Sequence, residues 1–413
     1  MAQLSDDCFA FGGALLALEE AQARIAALYA CVAPAETVGL GAAAGRVLAA
    51  DVLAPIDLPP QTNSAVDGYA VRHADLNPDA PTLLPLHGRV AAGHVGAASL
   101  PPGHALRIFT GAVLPEGPDT VMMQEDCEAG DGSVLVQPGI RRGANRRPAG
   151  EDVARGARAL AAGKRLMPPD IGLLAALGLD RVAVRAPVRV ALFSTGDEIT
   201  DPPAPLAPGH VYDANRFMLA ALLRRLGVVV QDGGILPDDP AATGDALAAA
   251  AGCDLILTSG GVSTGEEDHV RAAIERAGTL AFWRVAIKPG RPVALGAIGA
   301  TPLLGLPGNP VAALVTLTAL GRPLLDRLGG ALHVPPPRFA VRSGFAYRKK
   351  SGRREYVRVQ FAADGTARRY PKEGAGILTS LTESDALMEL PEEMTVLAPG
   401  DLAPCIPLGL LHG

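Results

Sequence analysis

Between Pro187 and Gly321 the chain alternates short apolar runs with helix-forming ones, a rhythm that admits few folds. "PVRVALFS", "VVVQDGGIL", "DLILTS", "LAFWRVAI" and "TPLLGL" have the length and composition of strands. "ANRFMLAALLRRLG", "PAATGDALAAAAG" and "EEDHVRAAIERAG" fall between them as helices, and "NPVAALVTLTALG" follows the last. Alternation of this length predicts a mostly parallel α/β sheet with helices on both faces.

The flanks read differently. "ALLALEEAQARIAALYACV" is strongly helix-forming, with Ser5 or Asp6 as an upstream cap. Residues 54–150 are rich in Pro, Gly and Val and carry an Asp131-Gly132 hairpin signal, so they predict a β module. "PPDIGLLAALGL" returns to helical texture. After the breaker "HVPPPR" the chain is β again, and "EYVRVQFAADGTARRY" turns at Asp364-Gly365. A chain of 413 residues is expected to divide into about two to four domains.

Composition narrows the partners. A net charge of −6 disfavours a general binder of nucleic acid or anionic membrane, and 4% aromatics leave little to stack on bases. The cysteines Cys8, Cys31, Cys127, Cys253 and Cys405 include no C-x-x-C pair, which fits a reducing compartment rather than a disulfide framework. With no signal-peptide pattern at the start and no run of ~18–20 apolar residues, a cytoplasmic protein is expected.

Ligands of open α/β sheets bind at the carboxyl ends of the strands. Here the first predicted strand ends in "STGDEI" (Ser194, Thr195, Gly196, Glu198) and the second in "PDDP" (Asp238). The third runs into "SGGVSTGEEDHV" (Ser259, Gly260, Gly261, Ser263, Gly265, Asp268), and the strand at 303–306 runs into "PGNP" (Pro307, Gly308, Pro310). Each loop alone has an ordinary structural reading as a turn, a helix cap or a solvated tip. Together they put small residues, suited to an amide cradle for an anion, beside carboxylates. Lys288 and Arg291 flank a Pro-Gly turn, as cations facing an anion or as a solvated hairpin tip. Arg141, Arg142, Arg146 and Arg147 form a second basic group, equally open between the two readings. "DLPPQTNSAVDGYAVR" would present the Asp67 carboxylate from a stiff loop, or be only a turn.

Taken together, "NSAVDGYA", "FTGAVLPEGPDTVMMQED", "GANRRPAGED", "STGDEI", "DANRFML", "TSGGVSTGEEDHV", "WRVAIKPGRPVALG" and "LPGNPVAAL" resemble the molybdopterin molybdenumtransferase family, also found as the C-terminal part of gephyrin. The resemblance runs from about residue 10 to the C-terminus. It implies a multidomain α/β protein with additional β domains. These are an N-terminal helix (1–30) packing on the α/β domain, a small linking domain (31–53 with 152–180), a β-rich domain (54–151), an α/β molybdopterin-binding domain (181–329) and a C-terminal β-barrel (330–413). It implies a homodimer whose site lies between subunits, with Asp67 reaching across. It also implies a reaction in which adenylyl-molybdopterin and molybdate yield molybdenum cofactor and AMP.

On this reading both substrates are anions, and Mg²⁺ assists cleavage of the phosphoanhydride. Glu198 and Asp238 would hold the metal or orient water, Asp268 would contact pterin or metal, and Asp67 would act from the partner. Thr110, Arg147, Lys288, Arg291 and Arg358 join the glycines, serines, threonine and prolines of the rim as binding residues. The molybdopterin adenylyltransferase is the expected upstream partner. The chain departs from the family at Gln61-Thr62, Arg284 and Ala375; the last removes a hydroxyl that relatives place near molybdate. An adenylyltransferase and a non-enzymatic scaffold remain the alternatives.

Overall fold

The computed structural model describes residues 15–94, 98–262 and 269–411. Its centre is a six-stranded sheet in the order Val229–Leu236, Arg189–Thr195, Leu255–Ser259, Thr301–Leu306, Ala294–Ile298, Gly278–Trp283. The first four strands are parallel, and Ala294–Ile298 runs antiparallel to both of its neighbours. Successive residues face opposite cores: Val190 and Leu192 pack with Leu219, Leu223 and Leu304, whereas Ala191 and Phe193 pack with Leu247, Ile256 and Ile274. Both faces are thus apolar, the condition under which a parallel sheet is stable.

The helices fall close to their predicted places, at Asn215–Arg225, Pro240–Ala249, His269–Ala277 and Pro310–Thr316. The last continues through a wide turn at Leu317–Gly321 into Arg322–Leu328. The N-terminal helix is shorter than its apolar run, Leu18–Leu28, with Ala17 at its N-cap and no side-chain cap there; Ser5 and Asp6 lie outside the described residues. Leu16 is not helical because its backbone pairs with the far edge of the α/β domain: Ala286 N–H donates to its carbonyl at 2.8 Å. Leu18, Ala21 and Ile25 complete one core of the sheet.

Two smaller units precede the sheet. Ala35–Gly39 pairs antiparallel with Arg181–Arg185, and Leu48, Leu160, Leu166, Leu174, Val182 and Val184 form a separate core beneath the helix Pro168–Ala176. Residues 181–185, assigned from sequence to the α/β domain, therefore pack with the small module. Beyond it stands a sheet ordered Thr120–Met123, Gly68–Val71, Ala105–Ile108, Thr82–Val90, Ser133–Val136, Cys127–Gly130. Its hairpin turns at Asp131-Gly132 with Gly132 at φ +69°.

At the C-terminus Phe339–Ser343, Thr366–Arg369, Arg354–Phe361, Ala386–Leu390 and Leu402–Pro407 close into a five-stranded barrel. Ile287–Lys288, from the α/β domain, adds a parallel rung beside Arg354 and Glu355. "KPGRP" is thus no solvated hairpin tip; it is the seam between sheet and barrel.

Candidate functional site

The chain leaves Arg189–Thr195 toward one edge of the sheet and returns to Leu255–Ser259 on its other side. Those two ends bracket the point where the winding reverses, the place where open α/β sheets bind ligands. A cleft of about 840 Å³ opens there. Ser194, Thr195, Gly196, Glu198, Asp238, Ser259, Gly260, Gly261, Pro307, Gly308 and Pro310 all line it, so every described candidate from the four loops meets in one cavity.

Two of the glycines do a different job from the one expected. Gly196 N–H donates to the Leu236 carbonyl at 3.2 Å and Gly260 N–H to the Leu306 carbonyl at 2.9 Å. Their amides are spent on neighbouring strands and do not form an anion cradle. What the backbone needs there is the absent side chain. At Gly260, with φ +102°, a Cβ would lie 2.5 Å from Thr195 Oγ1 and 3.1 Å from the Thr195 carbonyl. The loops are also tied to one another: Asp197 N–H donates to Asp238 Oδ2 and Asp238 N–H to Asp197 Oδ1, both at 3.1 Å.

Asn215, quoted in a matching segment but not chosen as a site residue, belongs to the cleft. It is buried, and its Nδ2 donates to Ser259 Oγ at 2.8 Å and to the Gly308 carbonyl at 2.7 Å. A carbonyl only accepts, which fixes the amide orientation and leaves Oδ1 facing away. Asn215 Oδ1, an acceptor, and Ser194 Oγ, a hydroxyl that can donate or accept, are both buried without a hydrogen-bond partner among the described residues. Behind them the buried Arg216 binds Asp213 at 2.9 Å and also pairs with Asp232 and Asp201, pinning the loop that carries Glu198.

A second cavity, of about 350 Å³, adjoins the first across Pro292, Pro307 and Asn309. It lies between sheet and barrel and gathers Lys288, Arg291, Arg353, Arg358, Arg369 and Lys372 against Glu355 and Glu373. Glu355 is buried and organises the group: Lys288 Nζ reaches it at 3.1 Å, Arg353 Nε at 2.8 Å and the Tyr347 hydroxyl at 2.8 Å. Burial alone would raise the Glu355 carboxyl, but the Tyr347 hydroxyl and the Lys288 ammonium outweigh it and hold it below its ordinary range. Burial pushes the Tyr347 hydroxyl up to about 12, with the Glu355 charge adding to it. Arg358 is lowered by burial and by Arg369, and its Nε is buried without a partner. Neither Glu355 nor Arg353 was a candidate from sequence; an acid alternating into "REYVRVQF" was the available signal.

The barrel loop closes over the rim. Val311 N–H donates to the Ala375 carbonyl at 3.0 Å, and Gly376 and Leu378 line the larger cleft. Ala375 itself lines the basic cavity.

Asp67, Thr110 and Arg147 lie in the β-rich unit of residues 54–151, hereafter the β arm, away from both cavities of their own chain. Asp67 accepts from Thr110 N–H and Oγ1, each at 2.8 Å, and these bonds hold its carboxyl below the ordinary range. Arg147 pairs with Glu151 at 3.0 Å on the surface. Ser263, Gly265 and Asp268 lie outside the described residues. Among the described residues no group of three or more His, Cys, Asp or Glu side chains converges as a metal site. Glu198 and Asp238 share the cleft as a pair of hard-oxygen donors.

Comparison with known proteins agrees along the chain. Residues 16–178 match the family described as MoeA N-terminal region (domain I and II), residues 191–327 the probable molybdopterin binding domain, and residues 340–408 the MoeA C-terminal region (domain IV). The molybdopterin molybdenumtransferase of Haemophilus influenzae is 36% identical over 406 residues, covering 97% of this chain and 100% of that protein. Molybdopterin molybdenumtransferase 2 of Mycobacterium tuberculosis is 38% identical over 377 residues, covering 88% of this chain and 93% of its own. The molybdopterin biosynthesis moeA protein of Pyrococcus horikoshii superposes with a TM-score of 0.82 at 29% identity, covering 95% of this chain and 100% of that one.

Proposed function

The chain belongs to the molybdopterin molybdenumtransferase family, and from that membership we propose that it converts adenylyl-molybdopterin and molybdate into molybdenum cofactor and AMP. The observation that carries this reading is the pairing of two adjoining cavities of opposite character, one lined by Glu198 and Asp238, the other by a cluster of cations. A chain that must hold two anions and cleave an anhydride needs both.

The pterin and its phosphates suit the larger cleft, where the Ser194 hydroxyl can donate to a phosphate oxygen and Asn215 Oδ1 can accept from a pterin N–H. Molybdate suits the basic cavity, where Lys288, Arg291 and Arg358 surround a space open to the first. Glu198 and Asp238 would hold Mg²⁺, whose preference is for a few carboxylates completed by phosphate oxygens and water. When bound, the ion supplies charge neutralisation at the anhydride oxygens. The protein's own groups orient the substrates: Asn215 joins two rims of the cleft, and Glu355 holds Lys288 and Arg353 in place. Among the described residues Cys31, Cys127, Cys253 and Cys405 are all free thiols, which suits a reducing cytoplasm.

Purified protein mixed with adenylyl-molybdopterin, molybdate and Mg²⁺ tests the reading by AMP release and by the activity of a reconstituted molybdoenzyme. Glu198→Ala should lower both by about 10²-fold or more. A wild-type rate in that variant overturns the assignment, and pyrophosphate release from ATP would favour an adenylyltransferase.

The placement of Asp67 and Thr110 in the arm supports a homodimer in which the arm of one subunit completes the cleft of the other. Mixing Asp67→Ala with Glu198→Ala, each inactive alone, should restore roughly a quarter of wild-type activity through mixed dimers with one intact site. No recovery would place Asp67 in its own chain's structure only.

A further inference from the structure

Where the small module joins the α/β domain, four guanidinium groups meet in one notch. Arg46, Arg165 and Arg185 come from the module, and Arg322 starts the helix Arg322–Leu328 of the α/β domain. Three of them are held from behind by backbone carbonyls. Arg46 Nη2 donates to the Arg185 carbonyl at 2.7 Å and also pairs with Glu36. Arg185 Nη1 donates to the Ala33 carbonyl at 3.2 Å, and Arg165 Nη1 to the Gly45 carbonyl at 2.9 Å.

The notch contains one carboxylate, and it is already engaged. Asp326 Oδ1 accepts from Arg165 Nη2 at 3.3 Å, and Oδ2 faces His333 Nδ1 at 2.9 Å. Arg322 receives nothing from it: its Nη1 is buried and has no hydrogen-bond partner among the described residues. Arg46 is balanced by Glu36 and Arg165 by Asp326, so the notch keeps two guanidiniums, Arg185 and Arg322, for which no carboxylate partner is seen among the described residues. A buried guanidinium N–H without an acceptor is rare in folded proteins and calls for an explanation. A single group that answers Arg322 and Arg185 together would be anionic, rich in acceptors and small. The planar fork of arginine matches the oxygens of a tetrahedral oxyanion, which several guanidiniums can share.

We propose that this notch binds a small tetrahedral oxyanion, of the class of inorganic phosphate or sulfate, which ties the small module to the α/β domain. The site shares no lining residue with either cavity of the candidate active site. Its position gives it a consequence. The β arm is connected to the rest of the chain through the small module, so an ion bridging Arg185 and Arg322 fixes how the arm is carried relative to the sheet.

The test is thermal unfolding in rising potassium phosphate against potassium chloride at matched ionic strength. It is done in a Lys288→Ala/Arg358→Ala background, which weakens anion binding in the basic cavity, and the glutamine variants below separate what remains there from the notch. A saturable rise of about 3 °C is expected with phosphate alone, the size produced by a ligand well above its dissociation constant. Arg322→Gln and Arg185→Gln should each abolish the rise, and Arg322→Lys should keep part of it. In phosphate-free buffer Arg322→Gln should be no less stable than its parent, because an uncompensated charge has gone. An equal rise with chloride, a rise that survives both glutamine variants, or no rise overturns the proposal. Should Arg322→Gln not fold, Arg185→Gln decides the matter by the same criterion.

Discussion

Asn215 joins three parts of the rim that lie far apart in the chain: the start of its own helix, the end of Leu255–Ser259 and the turn at Gly308. Removing its amide leaves the Gly308 carbonyl and the Ser259 hydroxyl in a buried place without that donor. Asn215→Ala should therefore cost about 1–3 kcal/mol in urea unfolding. It should also weaken pterin binding, because Asn215 lines the cleft and its Oδ1 has no partner among the described residues. A cost below about 0.5 kcal/mol with unchanged affinity would show that the bridge is dispensable. Sequence reading found the serines, glycines and acids of the rim because strand-to-loop junctions mark themselves locally by composition. Asn215 and Glu355 escaped for the complementary reason. What makes each functional is burial against residues distant in the chain; Glu355 meets Lys288 from 67 positions away.

At the scale of elements, the winding of the central sheet was legible because apolar runs of strand length alternate with helices and end in glycine. Ala294–Ile298 was not read as a strand, since "RPVALG" follows a Pro-Gly turn and its partner, Thr301–Leu306, sets its direction. The barrel rung at Ile287–Lys288 is likewise fixed by a strand more than sixty residues later. The close packing of the loop at Gly260 makes a sharper claim. In Gly260→Ala a Cβ would meet Thr195 Oγ1 at 2.5 Å on a backbone already at φ +102°. The left-handed conformation alone costs about 1–2 kcal/mol, and relief of the clash displaces Thr195 or the Gly260 loop, both of which line the cleft. Calorimetric titration should show weaker binding of the adenylylated pterin, together with lower stability. Wild-type affinity would mean that the two loops move apart without affecting the site.

The whole molecule is built on cores of unequal reach. One core runs from Leu18 and Ile25 of the N-terminal helix through Leu192, Leu257 and Leu304 of the sheet to Tyr356, Leu387, Ile406 and Leu411 of the barrel. Helix, sheet and barrel therefore bury one continuous apolar surface and lose it together. The β arm instead encloses two cores of its own, around Tyr69, Val71 and Met122 on one side and Ala70, Leu106 and Val121 on the other. Neither includes a residue of the central core, so little buried area couples the arm's unfolding to that of the body. Scanning calorimetry should accordingly resolve two transitions, the smaller carrying about 70 kcal/mol, as expected for residues 54–151 at ordinary enthalpy per residue. Tryptophan fluorescence, from Trp283 in the α/β sheet, should follow only the larger transition. A single transition whose calorimetric and van't Hoff enthalpies agree for the entire chain would show that the arm is coupled to the body by contacts other than those buried within one subunit.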